Sequence, residues 1–177
     1  MSGRIELVLG PMFAGKSTEL LRRMRRYSIH KRVAVVKPRV DTRYDAIRVS
    51  THDDVRADAR ALDTLAEMLA CVDEFDVVLV DEGQFFPDLA DAADQLANAG
   101  KIVVVSALSG DFLRRPFPQV ALLISLAEHV ETITAVCACG EDAPFSARRG
   151  AADGDQVVKV GGAETYAACC RQCWTNK

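Results

Sequence analysis

The chain has 177 residues, of which 49% are hydrophobic and 27% charged, and its formal net charge is −3. These values indicate one globular domain with at most a small appendage, and the weak negative charge argues against a protein that binds nucleic acid or a membrane surface. The apolar run at the N-terminus is too short for a signal peptide, and no run approaches the roughly 20 apolar residues of a membrane span. We therefore expect a soluble, cytoplasmic protein with no nucleic-acid partner and no membrane partner.

Strand and helix patterns alternate along the first two thirds of the chain. Short apolar runs predict strands at 5–9, 32–37, 77–80 and 102–105, and apolar residues at helical spacing predict helices at 18–27, 61–71 and 87–98. Continuously apolar strands separated by helices are typical of a parallel sheet covered on both faces. The arginines of the first helix fall largely between its apolar positions and are expected on a solvated face: Arg22, Arg23, Arg25 and Arg26.

A glycine-rich loop lies between the first predicted strand and the first predicted helix. Its sequence, GPMFAGKS, fits the pattern G-x-x-x-x-G-K-[ST], in which backbone N–H groups and a helix N-terminus bind phosphate oxygens. We expect the Lys16 ammonium at the β- and γ-phosphates of ATP and the Ser17 hydroxyl at Mg²⁺. The loop therefore predicts an α/β fold of the P-loop NTPase type, with phosphate contacts from Gly10, Pro11, Met12, Phe13, Ala14, Gly15, Lys16 and Ser17.

Two neighbouring carboxylates, Asp81 and Glu82, follow the apolar run at 77–80. An acidic residue at the end of such a strand is the usual partner of a phosphate loop and holds Mg²⁺. If this segment is extended, successive side chains point to opposite sides. Asp81 would then face the metal, and Glu82 would face an acceptor hydroxyl as a general base. The alternative for Glu82 is a carboxylate on the surface of a loop.

The composition changes near Thr134, where cysteine, glycine and alanine become frequent. Closely spaced cysteines in an intracellular chain bind metal more often than they form disulfides. The pairs Cys137-x-Cys139 and Cys170-x-x-Cys173 can supply four thiolates to one structural Zn²⁺, with Cys169 as a spare. Reduced core cysteines without metal are the alternative. We predict a nucleotide-binding domain at 1–133 and a small zinc-binding subdomain at 134–177.

Several segments together resemble the type II, or cytosolic-type, thymidine kinases. The resemblance runs from about Gly10 to Cys173, in the family's order. It implies transfer of the γ-phosphoryl group of ATP to the 5′-hydroxyl of thymidine, and of deoxyuridine, for nucleotide salvage. It also implies Mg²⁺, a structural Zn²⁺, a homotetramer and feedback inhibition by dTTP. The segments are GPMFAGKST (10–18), DTRY (41–44), STHD (50–53), DEGQFFPD (81–88), NAGK (98–101) and VGGAETY (160–166).

The resemblance also implies roles for single residues. Glu82 is expected to accept the 5′-hydroxyl proton, and Asp81 and Ser17 to serve Mg²⁺. The family has two residues between the first two cysteines, whereas this chain has one. The remaining residues of the phosphate region are Asp41, Thr42, Arg43, Gly83 and Gln84. The walls of the thymidine site are expected to be Met12, Phe85, Leu108, Phe112, Phe117 and Tyr166. A lasso-like loop over the base is expected to contain Ser146, Val157, Val158, Lys159, Val160 and Gly161.

Other interpretations stay open on the residues alone. A P-loop kinase for another nucleoside would carry the same motifs and differ only in base specificity. A nucleotide-switched zinc ribbon that binds nucleic acid is a further class, and the acidic balance of the chain counts against it. For each phenylalanine taken singly, core packing is the alternative to a substrate wall.

Overall fold

The computed structural model describes residues 2–40, 48–50, 56–149 and 164–176, with the backbone alone described for 48–50 and 56–58. The strands are β1 (Arg4–Gly10), β2 (Val33–Pro38), β3 (Arg48–Ser50), β4 (Arg56–Asp58), β5 (Arg60–Leu62), β6 (Val77–Val80), β7 (Ile102–Leu108), β8 (His129–Thr132), β9 (Ala135–Val136), β10 (Asp142–Ala143), β11 (Phe145–Arg148) and β12 (Tyr166–Cys169). The α-helices are α1 (Lys16–Tyr27), α2 (Leu89–Asn98), α3 (Pro118–Leu126) and α4 (Arg171–Thr175), and 3₁₀ segments span Leu65–Glu74 and Gly83–Phe85.

A six-stranded sheet in the order β5-β2-β6-β7-β1-β8 forms the centre of the molecule, and its neighbouring strands pair in parallel. Side chains of the central strand β6 alternate between two cores. Val78 and Val80 pack in one core with residues of α2, whereas Val77 and Leu79 pack in the other with residues of α1. The predicted parallel sheet with both faces covered is therefore confirmed.

The predicted helix at 61–71 is wrong at its start. Ala61 and Leu62 belong to β5, because they pair with the end of β2 in the sheet. The 3₁₀ segment begins only after Thr64, whose backbone N–H donates to the Glu67 carboxylate at 3.0 Å in a capping box. The apolar residues at helical spacing therefore lie partly in the edge strand β5 and partly in the 3₁₀ segment that follows it.

The expectation of a solvated face is wrong for Arg23, which is only 8% exposed. Its guanidinium binds Glu6 of β1 at 2.8 Å, Glu19 of its own helix at 2.8 Å and Glu131 of β8 at 2.5 Å. A buried arginine needs such carboxylate partners, because burial removes the charge from water. Arg23 therefore connects α1 to the strands β1 and β8 of the sheet.

The chain after β8 forms a small unit of short antiparallel pairs, β9 with β10 and β11 with β12, followed by α4. Among the described residues, this unit has a buried cluster of alanine and cysteine side chains, against which Trp174 packs: Ala135, Cys137, Ala143, Ala147, Cys169 and Cys170. Ala14 of the glycine-rich loop packs against this core. Within the described ranges, we find no helix with the length and apolar character needed to cross a membrane.

Candidate active site

The loops that follow β1, β6 and β7 meet at one edge of the sheet, because these three strands are neighbours and run in parallel. The carboxyl ends of parallel strands form the crevice in which such folds bind ligands. The predicted phosphate loop, the acidic pair and Leu108 are therefore adjacent. Leu108 pairs in register with Gly10, and the Ser109 N–H donates to the Gly10 carbonyl at 3.2 Å.

The glycine-rich loop has the backbone of an anion-binding turn. Gly10 admits no side chain, because a Cβ there would lie 2.6 Å from the carbonyl oxygen of Ile133. Phe13 and Gly15 have positive φ angles of 67° and 82°, which bend the chain into the start of α1. The Lys16 ammonium donates to the Pro11 carbonyl at 2.7 Å and so lies over the loop.

Asp81 is a buried carboxylate held by two hydroxyl groups. Ser17 Oγ lies 3.0 and 3.2 Å from its two oxygens, and Ser106 Oγ of β7 donates to Oδ1 at 2.5 Å. Burial, followed by the neighbouring Glu82 carboxylate, raises the pKa of Asp81 to about 6. The facing hydroxyl and carboxylate of Ser17 and Asp81 are oxygen ligands of the kind that Mg²⁺ takes in phosphoryl-transfer sites.

Sequence reasoning missed Ser106. Its signal was a lone hydroxyl within the apolar strand β7, where a completely buried polar side chain needs a partner.

Glu82 does not lie in the extended segment that we expected. Its φ and ψ angles of 52° and 43° are left-handed, and it begins the short 3₁₀ segment Gly83–Phe85. Its carboxylate accepts a hydrogen bond from Gln84 Nε2, and Gln84 Oε1 accepts the Leu108 N–H at 3.1 Å. The two carboxylates still have different partners, but a turn in the backbone separates them rather than the alternation of a strand.

The structure brings some of the expected substrate residues to this edge. The Met12 N–H donates to Ser146 Oγ of β11 at 2.9 Å, which joins the phosphate loop to the C-terminal unit. The Phe112 ring lies 5.7 Å from the Arg148 guanidinium, also of β11. Phe117 packs partly against the main core. Phe85 is half-buried at the end of its 3₁₀ segment, and Tyr166 is buried in β12. The expected residues Asp41, Thr42, Arg43, Val157, Val158, Lys159, Val160 and Gly161 lie outside the described residues.

Four cysteines converge in the C-terminal unit. The sulfur atoms of Cys137, Cys139, Cys170 and Cys173 all lie within 4.8 Å of one another, and those of Cys139 and Cys170 are 3.7 Å apart. Tetrahedral Zn²⁺ with bonds of about 2.3 Å would hold sulfurs roughly 3.8 Å apart, so this donor set fits zinc. The one-residue spacing of the first pair therefore does not prevent convergence.

Neighbouring sulfurs of this group differ in pKa: hydrogen bonds with the Cys139 and Cys170 sulfurs raise the pKa of Cys173 to about 12, whereas backbone N–H groups favour the thiolate of Cys137. Hydrogen bonds from the N–H groups of Cys139 and Cys170 lower the pKa of Cys137 to about 6. The Cys173 N–H donates to Cys170 Sγ at 3.4 Å. Gly140, with a φ of 93°, closes the turn that returns Cys139 toward Cys137. Cys169 does not belong to the converging group.

Comparison with solved structures supports the fold. The X-ray structure of the Legionella pneumophila ATPase DotB aligns with a TM-score of 0.50 at 13% identity, over 80% of this chain and 44% of that chain. At so low an identity, the similarity concerns the fold alone.

Comparison with sequences concerns nearly the whole chain. A family model described as thymidine kinase matches residues 3–174. The thymidine kinase of Raccoon poxvirus is 43% identical over 177 residues, which cover 99% of this chain and 98% of that protein. Those of Variola virus and Vaccinia virus (strain Ankara) are 43% and 42% identical over 176 residues, with 98% of both chains covered. The chain therefore belongs to the thymidine kinase family.

Proposed function

We propose that this protein transfers the γ-phosphoryl group of ATP to the 5′-hydroxyl of thymidine, and of deoxyuridine, in nucleotide salvage. With thymidine the product is dTMP. The observation that carries the proposal is the meeting of a phosphate loop, the buried Asp81 with its partner Ser17, and Glu82 at one sheet edge, in a member of the thymidine kinase family.

The phosphate loop provides binding and charge compensation. Its N–H groups and the start of α1 attract phosphate oxygens, and Lys16 exchanges its contact with the Pro11 carbonyl for the β- and γ-phosphates. Phosphoryl transfer requires mostly positioning and charge stabilisation. Asp41, Thr42, Arg43, Gly83 and Gln84 are proposed to complete this phosphate region.

Ser17 and Asp81 are the residues proposed to hold Mg²⁺. A bound Mg²⁺ supplies positive charge that neutralises the phosphate oxygens during transfer. Ser106 holds Oδ1 of Asp81, so that the carboxylate keeps one orientation toward Ser17.

Glu82 is proposed as the general base. A 5′-hydroxyl must lose its proton as the phosphoryl group moves, and a carboxylate within hydrogen-bond reach orients the hydroxyl and accepts that proton. The hydrogen bond from Gln84 gives the Glu82 side chain a defined position.

The nucleoside is proposed to lie between this edge and the C-terminal unit. A flat, partly apolar base needs apolar walls and a few polar groups. The hydrogen bond between Ser146 and the phosphate loop supports this position, because it holds β11 next to the loop. The proposed walls are Met12, Phe85, Leu108, Phe112, Phe117 and Tyr166, and the proposed lasso residues are Ser146 and 157–161.

The four converging cysteines are proposed to bind one structural Zn²⁺ within a subdomain at 134–177. Exposed apolar side chains on α3 and β8, among them Leu122, Leu126 and Val130, support a proposed homotetramer. Inhibition by dTTP and a cytoplasmic location are further proposals that follow from the family.

Phosphorylation of a nucleoside panel by the purified protein with ATP tests the function. We expect thymidine and deoxyuridine to be phosphorylated and deoxycytidine to be rejected, because its exocyclic amine reverses the hydrogen-bond pattern at the base edge. Comparable rates on deoxycytidine would favour a kinase for another nucleoside. Binding of single-stranded DNA without any phosphorylation would favour the zinc-ribbon interpretation.

A further inference from the structure

The loop at 109–117, which joins β7 to α3, is folded around one buried carboxylate. Asp111 Oδ1 accepts the N–H groups of Leu113 and Arg115, each at 2.8 Å, and Oδ2 binds Arg115 Nε at 2.9 Å. These bonds give the loop a fixed internal shape. Contacts of Phe112 and Arg114 with the C-terminal unit help to position the loop relative to the rest of the protein.

Phe112 and Arg114 attach this loop to the C-terminal unit. The Arg114 guanidinium lies 3.7 Å from the centroid of the Trp174 ring and 5.3 Å from that of Phe145. The Trp174 Nε1–H donates to the Phe112 carbonyl at 3.4 Å. Arg114 has a positive φ of 63°, a conformation that L-residues adopt at an energetic cost and that local contacts must offset.

Trp174 connects these contacts to the cysteine group. Trp174 follows Cys173 directly in α4, and its backbone N–H donates to the Cys170 carbonyl at 3.0 Å. Its ring packs against the small core formed by the buried cysteines and alanines. The position of the Trp174 ring is therefore set by the same residues that bring the four sulfurs together.

We propose that Arg114 and Trp174 form an aromatic latch that positions Phe112 at the wall of the acceptor site and so determines the affinity for the nucleoside. The inference rests on the proposed function, because it takes Phe112 to line the nucleoside site. Arg148, beside the Phe112 ring, lies two residues from Ser146, which binds the phosphate loop. The latch residues are positioning residues: they act on the nucleoside through Phe112.

The latch predicts a change in nucleoside binding without a matching change in ATP binding. The contacts of Arg114 and Trp174 are with each other, with Phe145 and with Phe112. The contacts of Lys16 and Ser17 lie within the phosphate loop and on Asp81. Loss of the latch should therefore raise KM for thymidine and leave KM for ATP and kcat nearly unchanged.

Arg114→Asn is the most informative variant. Asparagine tolerates positive φ better than most residues, so the substitution removes the guanidinium with little added strain. We expect KM for thymidine to rise about three- to thirtyfold, the range that corresponds to the loss of a partly desolvated cation–π contact. Arg114→Lys keeps the charge but not the planar group and should show a smaller rise. Trp174→Phe keeps a ring but loses the N–H donor and should also lie between wild type and Arg114→Asn.

Arg171→Ala is the matched control. Arg171 also lies over the Phe145 ring, at 5.1 Å, but it belongs to α4 itself, so its loss removes a cation–π contact without releasing the loop. We expect wild-type KM values for this variant. All variants should keep the wild-type metal content, measured by elemental analysis, and should unfold cooperatively within a few degrees of the wild type, measured by circular dichroism.

A fluorescence measurement tests the latch independently of catalysis. Trp174 is the only tryptophan of the chain, so intrinsic tryptophan emission reports on it alone. Arg114→Asn should increase quenching of this emission by acrylamide. Unchanged quenching, an unchanged KM for thymidine, or an equal rise in the KM values for thymidine and ATP would each overturn the latch. A wild-type protein that does not phosphorylate thymidine would instead overturn the proposed function.

Discussion

Replacement of Glu82 tests both the proposed chemistry and the backbone strain at the site. Glu82 has φ and ψ angles of 52° and 43°, which L-residues adopt at a cost of roughly 1–2 kcal/mol. Glycine adopts this conformation without that cost but loses about 0.5–1 kcal/mol more through the entropy of the unfolded chain. Glu82→Gly should therefore be more stable than Glu82→Ala by about 0.5–1 kcal/mol.

The expected difference can be measured by thermal unfolding. For a chain of this length, about 1 kcal/mol shifts the unfolding temperature by roughly 2–4 °C, so Glu82→Gly should melt about 1–4 °C above Glu82→Ala. Gln95 provides the matched control, because it is exposed within α2. In an exposed helix interior the order reverses, and Gln95→Ala should be the more stable of the two control variants.

The catalytic part of the prediction uses Glu82→Gln, which keeps the shape of the side chain and removes its basicity. We expect kcat to fall by roughly 10²–10⁴, with little change in the KM values for thymidine and ATP. A near-normal kcat for Glu82→Gln would refute the role as a base. A Glu82→Gly protein that melts below Glu82→Ala would refute the strain argument.

Three further predictions concern the metal, the phosphate loop and Asp81. Elemental analysis should find about one Zn²⁺ per chain, and Cys173→Ser should lose both the metal and several degrees of thermal stability; a stable, metal-free wild type would contradict this. Lys16→Ala should abolish turnover, because backbone N–H groups cannot replace a charge at the transferring phosphoryl, while calorimetry should still detect thymidine binding. Asp81→Asn should raise the Mg²⁺ concentration needed for half-maximal rate, and excess Mg²⁺ should partly restore activity; a dead variant that Mg²⁺ does not restore would contradict the assignment.

The sequence was most informative where local patterns carry the function. The phosphate-loop pattern and the apolar run before Asp81 each predict a strand followed by a loop. Because the carboxyl ends of parallel strands form one edge of the sheet, the two loops are expected to meet there. Four cysteines within 37 residues likewise suggested convergence, which the sulfur distances confirm. In each case, a short local pattern identifies the residues, although the segments that meet lie 31 and 64 residues apart in the chain.

Features that depend on distant parts of the chain could not be predicted in this way. Arg23 resembles its exposed neighbours in sequence, and its burial depends on carboxylates supplied by β1 and β8. Ser106 binds Asp81 across two neighbouring strands. Glu82 adopts its left-handed conformation in the turn that leads into Gly83. A Cβ added at Gly83 would lie 2.6 Å from Val105 Cγ1. Only the packed structure shows that position 83 has no room for a side chain.

The small C-terminal unit connects the proposed zinc site with the proposed nucleoside site. Among the described residues, the buried cluster of this unit consists of alanines and cysteines, which are small side chains, so we expect the proposed Zn²⁺ to stabilise its short strands. Two residues of this unit contact the proposed site: Ser146 Oγ accepts the Met12 N–H, and the Trp174 Nε1–H donates to the Phe112 carbonyl. Two contacts with the proposed nucleoside site therefore come from a unit that the proposed Zn²⁺ would stabilise, so we propose that the metal supports substrate binding without contacting the reacting atoms.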